Sequence, residues 1–345
     1  MTTRFGEHIM YRGTQSPARS HRFARRAMIM ATGCAALATV SVLLAAAPRR
    51  AGSGMALARA AGADSQPRRL AVVQGLSVPE ALSYDPRTHF YFVSNANGPF
   101  GVKNDSGFIT RITADGQLDS LHFIKGGRNN VVLNAPMGSR IRGDTLWVLD
   151  VDALRAFDTR TGKPLAEIDV PQAHGHFLND LTFAADGSIY ITDTGMSVAP
   201  DGKSTHTGPD RIFRISRGHQ VTVALDTPSL AMPDGIAWDA NGRRFVLAPF
   251  GGMSIQEWRV GQPGPVEITR GKGRFDGIEI ERGGRILITS WNDSSVSTLD
   301  NNRLVRRIGH LEVVPADVSM DEQHGRVGIV SAVANEFELW TWPWR

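Results

Sequence analysis

One hairpin recurs along this chain, and a fold that suits one copy must suit them all. The clearest copy runs from Phe177 to Asp193. Asn179 opens a short alternating run through Leu181 and Phe183, Asp186-Gly187 makes the turn, and Ile189 to Thr192 returns. Asp-Gly between two alternating apolar runs is the strongest short-range hairpin signal. The same shape starts at Glu80, near Met137, at Asp234, at Asp276 and at Ala316. The six copies are spaced by about 40 to 57 residues, the range of propeller blades.

No stretch after residue 70 holds a 3.6-residue apolar period. Short β-rich runs follow one another, separated by Gly, Asn, Asp and Pro, with no Pro- or Ser-rich linker. This predicts one all-β domain over residues 70–345, a six-bladed β-propeller. Strand counting predicts how it closes. After Ala316 only three strand candidates remain, while Leu70 to Val73 is an orphan apolar strand ahead of the first copy. That N-terminal strand is expected to complete the last blade and remove an exposed edge. The Gly-, Ser- and Thr-rich insert from Ser197 to Pro209 reads as a surface loop.

Residues 1–69 lie outside the repeats. They hold eleven arginines, no lysine and two acids, a net charge of +9. The whole chain is +4, so residues 70–345 carry −5. The basic character belongs to the leader, and a nucleic-acid partner is not expected. An apolar run, Ala27 to Ala47, follows Arg19, Arg22, Arg25 and Arg26, the layout of an export signal. Arg25-Arg26-Ala27-Met28-Ile29 also fits a twin-arginine address. The chain is therefore expected to be exported, periplasmic or secreted. The run is just long enough to span a bilayer, so an uncleaved N-terminal anchor is the alternative. Cys34, in the leader, is the single cysteine, so residues 70–345 contain no disulfide, thiolate site or cysteine nucleophile. A domain of this size can hold itself together with its core alone.

Aligning the copies puts one position at the start of each innermost strand. It holds Glu80, Met137, Asn179, Asp234, Asp276 and Ala316. Equivalent positions of a propeller face one channel, and three carboxylates there repel one another unless a cation intervenes. Carboxylate and amide oxygens without Cys or His favour a hard ion: one divalent cation, Ca²⁺ first, with Mg²⁺ or Zn²⁺ as alternatives. The competing reading is ordinary turn chemistry, each Asp or Asn bonding its own backbone. Register across the copies, with Glu80 among them, favours the metal.

The motifs Val78-Pro79-Glu80, Leu178-Asn179-Asp180, Met232-Pro233-Asp234-Gly235 and Phe275-Asp276-Gly277 carry a resemblance. Over about residues 70–342 the chain resembles the SMP-30/gluconolactonase/LRE-like propellers. These include gluconolactonases, regucalcin and the phosphotriesterase-like diisopropylfluorophosphatase. The resemblance implies a divalent ion, usually calcium, at the bottom of a central pocket. It implies Glu80, Asp234 and Asp276 as ligands and Asn179 as ligand or substrate contact. Asp276 matches the family's proposed general base or nucleophile. Asp234 stands where the family usually has Asn, Ala-Leu follows Glu80 instead of Gly-Pro, and the second blade offers no clear polar residue.

The chemistry expected is hydrolysis of a small ester, a lactone first and a phosphoester as a variant. The rival is a non-catalytic propeller that binds a ligand or protein partner around a structural ion. His174 and His176 lie just before Asn179, within reach of the pocket mouth as proton shuttles, against the commoner reading of solvated loop histidines; His176 is also a candidate substrate contact. Arg140 is placed to orient an anionic substrate. Trp291-Asn292-Asp293 and Phe250-Gly251-Gly252 follow the second strands of blades five and four, where core or rim packing is expected ahead of pocket lining. A single chain acting on a small molecule is expected. There is no Gly-x-Ser-x-Gly elbow, Walker sequence, Rossmann glycine pattern or zinc spacing.

Overall fold

A computed structural model describes residues 66–343 except Gly175, 200–202 and His310. Residues 1–65, where the export signal or anchor is expected, lie outside the described residues, and Arg69, counted with the leader, belongs to a strand of the domain. The rest forms six antiparallel sheets. Blades one to five each run outward in chain order, their first strands being Pro79–Asp85, Pro136–Arg142, His176–Phe183, Pro233–Asp239 and Phe275–Ile280. Blade six is built from Val318–Asp321, Arg326–Ser331 and Glu336–Thr341, and Arg69–Gln74 is its outermost strand. Val73 pairs with Phe337 and Gln74 with Glu336, so the two ends of the domain close one sheet, as the strand count predicts. The Arg69 guanidinium lies 2.6 Å from Glu338 across that seam.

Each first strand packs against the first strands of its two neighbours, so the six make a ring around a channel. The apolar core lies between blades. Leu146, Val148 and Phe157 meet Phe92 and Ile109 between blades one and two. Leu149 and Leu154 meet Leu181 and Phe213 between two and three. The series continues through Tyr190 with Phe245, and Val246 with Ile288. Val296 with Val318, then Tyr91 with Phe337, complete the circle. No blade buries its faces alone, so the ring stands or falls together.

Hydrogen bonds between first strands fix their register. Asp180 accepts from Ile236 N of the next blade at 3.0 Å, and Thr182 from Trp238 N at 3.1 Å. Blades six and one repeat the pair: Asp317 accepts from Leu82 N and Ser319 from Tyr84 N. Gly235 and Gly277 follow column residues because a Cβ at either would strike the neighbouring first strand, at Asp276 and Asp317. The Asp-Gly pairs at 234 and 276 lie within strands and serve close approach between blades, where the sequence alone suggested turn chemistry. The 197–209 insert contains a short strand, Ser204–His206, paired with Met196–Val198.

Candidate functional site

Five of the six first strands break register near their start. The breaks fall between Pro79 and Ala81, Pro136 and Ser139, Leu178 and Leu181, Pro233 and Gly235, and Phe275 and Ile278. The residues released from the ladder are Glu80, Met137, Asn179 with Asp180, Asp234 and Asp276. A bulge re-aims side chains, and here it recurs at the same point of five blades.

The acids sense one another strongly. Glu80 is pushed up to about 8, by burial first and then by the charge of Asp317. Asp234 is held well above the ordinary carboxyl range by burial, then by Glu80, Asp180 and Asp317, against a hydrogen bond from Asn179. Asp276 is raised in the same way by burial, then by Asp234, Glu80 and Asp317. The Trp291 indole N–H donates to Asp276 Oδ2 at 2.7 Å. Asn179 bonds Asp234, and the strongest charges acting on the three acids come from other acids, which brings the four predicted oxygen donors near one another.

Arg140 is elsewhere in the ring. It donates to Asp180 Oδ2 at 3.0 Å and to the carbonyls of Ser139 and Ile278 at 2.8 and 3.0 Å. Asp317 Oδ2 lies 3.8 Å away. These bonds tie blades two, three, five and six together, a different role from the expected one of orienting a substrate. Asp317, which burial pushes up to about 7 against the pull of Arg140, and Asp180 are acids the column alignment missed. The alignment puts Ala316 in the blade-six position, but the carboxylate stands one residue later, at Asp317. Glu279, also about 7, completes this lower group.

His176 opens its strand with Nδ1 3.5 Å from Asp193, which Arg211 also holds at 2.7 Å. His174 is half-exposed, 3.0 Å from Asp169 and 3.7 Å from Asp152. Among the described residues, Asp152, Asp169 and His174 are the acid-or-histidine group whose ligand atoms all fall within 4.8 Å of one another. They sit on the rim of blade two, and Lys103 is 2.7 Å from Asp152, so a cation already faces them. The channel acids are spread more widely.

The channel donor set is also chemically suited to a divalent ion. Three buried carboxylates and an amide face one region, all hard oxygen ligands, and their mutual repulsion is not offset by a basic side chain. Glu80, Asn179, Asp234 and Asp276 would hold such an ion. Met137, buried in the core beside Phe177 and Leu178, contributes no oxygen.

No curated protein matches the chain by sequence. Solved structures share its fold. A putative gluconolactonase is 15% identical, with a TM-score of 0.62 over 82% of this chain and 93% of that one. A gluconolactonase from Xanthomonas campestris is 17% identical, with a TM-score of 0.59 over 79% and 90%. A calcium-binding regucalcin from Agrobacterium tumefaciens is 17% identical, with a TM-score of 0.56 over 77% and 90%. The model of the SMP-30/Gluconolactonase/LRE-like region matches residues 102–316, a span that holds Asn179, Asp234 and Asp276. The chain belongs to the SMP-30/gluconolactonase/LRE-like family.

Proposed function

We propose that this propeller is a divalent-metal-dependent hydrolase of small esters, acting on a lactone, with Ca²⁺ as the ion. The observation that carries the reading is the set of buried, mutually repelling acids Glu80, Asp234 and Asp276 with Asn179. A bound cation supplies there the positive charge that polarises a carbonyl and stabilises an oxyanion. Asp276 is the reacting carboxylate. Trp291 takes up its Oδ2, which orients the side chain and leaves Oδ1 to act. As a base, Asp276 accepts a proton from the attacking water. The water oxygen bonds to the carbonyl carbon, the ring C–O bond breaks, and the proton passes to the departing alkoxide. As a nucleophile, Asp276 would form the first bond itself and water would release the acid afterwards.

The arginine-then-apolar leader supports export to the periplasm or beyond. No helix among the described residues is long and apolar enough to cross a membrane. Purified protein assayed on a lactone panel, with Ca²⁺ and with chelator, tests the reading. Chelator-sensitive turnover that vanishes in Asp276→Asn supports it. A folded, ion-loaded protein inert on lactones and phosphoesters would leave a non-catalytic binding propeller.

A further inference from the structure

Strands alternate in direction. Loops that enter first strands, and those joining second to third strands, therefore lie on the face where Glu80, Asn179, Asp234 and Asp276 sit. In blades four and five these loops set apolar groups beside Asp276, with the Arg274 guanidinium 5.5 Å from the centroid of the Phe250 ring. Trp291 touches its carboxylate, and the ring of Phe250 meets Trp291 edge-on with centroids 5.3 Å apart. Phe250 N donates to Met232 O at 3.0 Å, and the Met232 side chain packs over Gly251. Met232, Phe250 and Trp291 are each half-buried, and Met253 beside them is 52% exposed.

Four polar side chains around the same rim are each held by a protein partner. Asn97 donates to Ser106 O at 2.9 Å and Asn292 to Lys272 O at 2.8 Å. Asn335 accepts from Val78 N at 2.7 Å, and Lys103 lies 2.7 Å from Asp152. A polyol entering here would lose water from its hydroxyls and find few replacements. Each hydroxyl left unpaired costs roughly tenfold to a hundredfold in affinity. An alkyl or aryl group would gain by lying on Met232, Phe250 and Trp291.

We propose that the substrate is a lactone bearing an apolar alkyl or aryl arm, and not a polyhydroxylated sugar lactone. This rests on the lactonase reading. The arm lies on the Met232–Phe250–Trp291 wall while the ring carbonyl faces Asp276.

Hydrolysis of δ-valerolactone, its 5-propyl and 5-hexyl homologues and glucono-δ-lactone, all with Ca²⁺, tests it. The expected kcat/KM rises roughly twofold to fourfold per methylene over the first carbons. It should exceed the sugar lactone by at least about tenfold. Phe250→Ala should flatten the series and Phe250→Leu should keep it. A flat series in the parent, or preference for the sugar lactone, overturns the proposal. If no lactone of either kind is hydrolysed, the lactonase reading itself fails. Calorimetry with the matching non-hydrolysable lactams then decides the wall separately. Affinity that rises with chain length in the parent and not in Phe250→Ala supports it, and absent or flat binding overturns it.

Discussion

Replacing Glu80 by Gln in protein freed of divalent cations is expected to stabilise the fold at pH 8 and to leave it nearly unchanged near pH 4.5. Glu80 is buried among acids, and its carboxyl is raised from 4.5 to about 8. The unfolded chain releases this proton near 4.5, whereas the folded chain retains it until about 8. Between those values the folded state binds more protons, so stability falls as pH rises and the full penalty is present above about 8. That gap corresponds to about 5 kcal/mol as an upper bound, with relaxation bringing the expected gain to on the order of 2–5 kcal/mol. Such a gain raises Tm by on the order of 5–10 °C in a domain of this size. Thermal unfolding followed by tryptophan fluorescence at pH 4.5 and pH 8, in chelator, reads it directly. Added Ca²⁺ should reverse the order, stabilising the parent and leaving Glu80→Gln behind. A variant less stable than the parent in chelator at pH 8 would refute the reasoning, because Glu80 would then be contributing favourable contacts.

Arg140→Met should cost about 3–5 kcal/mol in denaturant unfolding at pH 8, because it leaves Asp180 and Asp317 buried without their partner; a loss under about 1 kcal/mol would contradict the buried bonds. Removing residues 66–74 should abolish cooperative unfolding, since it strips the outermost strand from blade six and uncovers Phe337 and Leu339; a truncated chain that melts within a few degrees of the parent would contradict the closure.

The ring was legible because six blades solve the same packing problem with the same sequence pattern. Its closure was legible because blade six came out one strand short. Glu80, Asn179, Asp234 and Asp276 stood out through their shared register. Asp180 did not, because adjacent residues of an ideal strand face opposite sides, and only a bulge between Leu178 and Leu181 brings both Asn179 and Asp180 into play. Asp317 was hidden for a related reason: the alignment stopped at Ala316, whose side chain joins the core. Arg140 follows the bulge in blade two, so period-two counting could not place its guanidinium among Asp180 and Asp317. The Trp291 contact with Asp276 depends on a loop turn, where the rim packing expected from sequence carries no direction.

The central claim is that oxygen side chains from blades one, three, four and five surround one cation. Isothermal titration of Ca²⁺ into chelator-treated protein tests it most directly. One ion per chain should bind, with affinity falling at least about tenfold in Glu80→Gln and in Asp234→Asn and unchanged in Asp152→Asn. Binding that survives both channel substitutions and disappears in Asp152→Asn would place the ion on the rim with Asp169 and His174, and the channel account would be wrong.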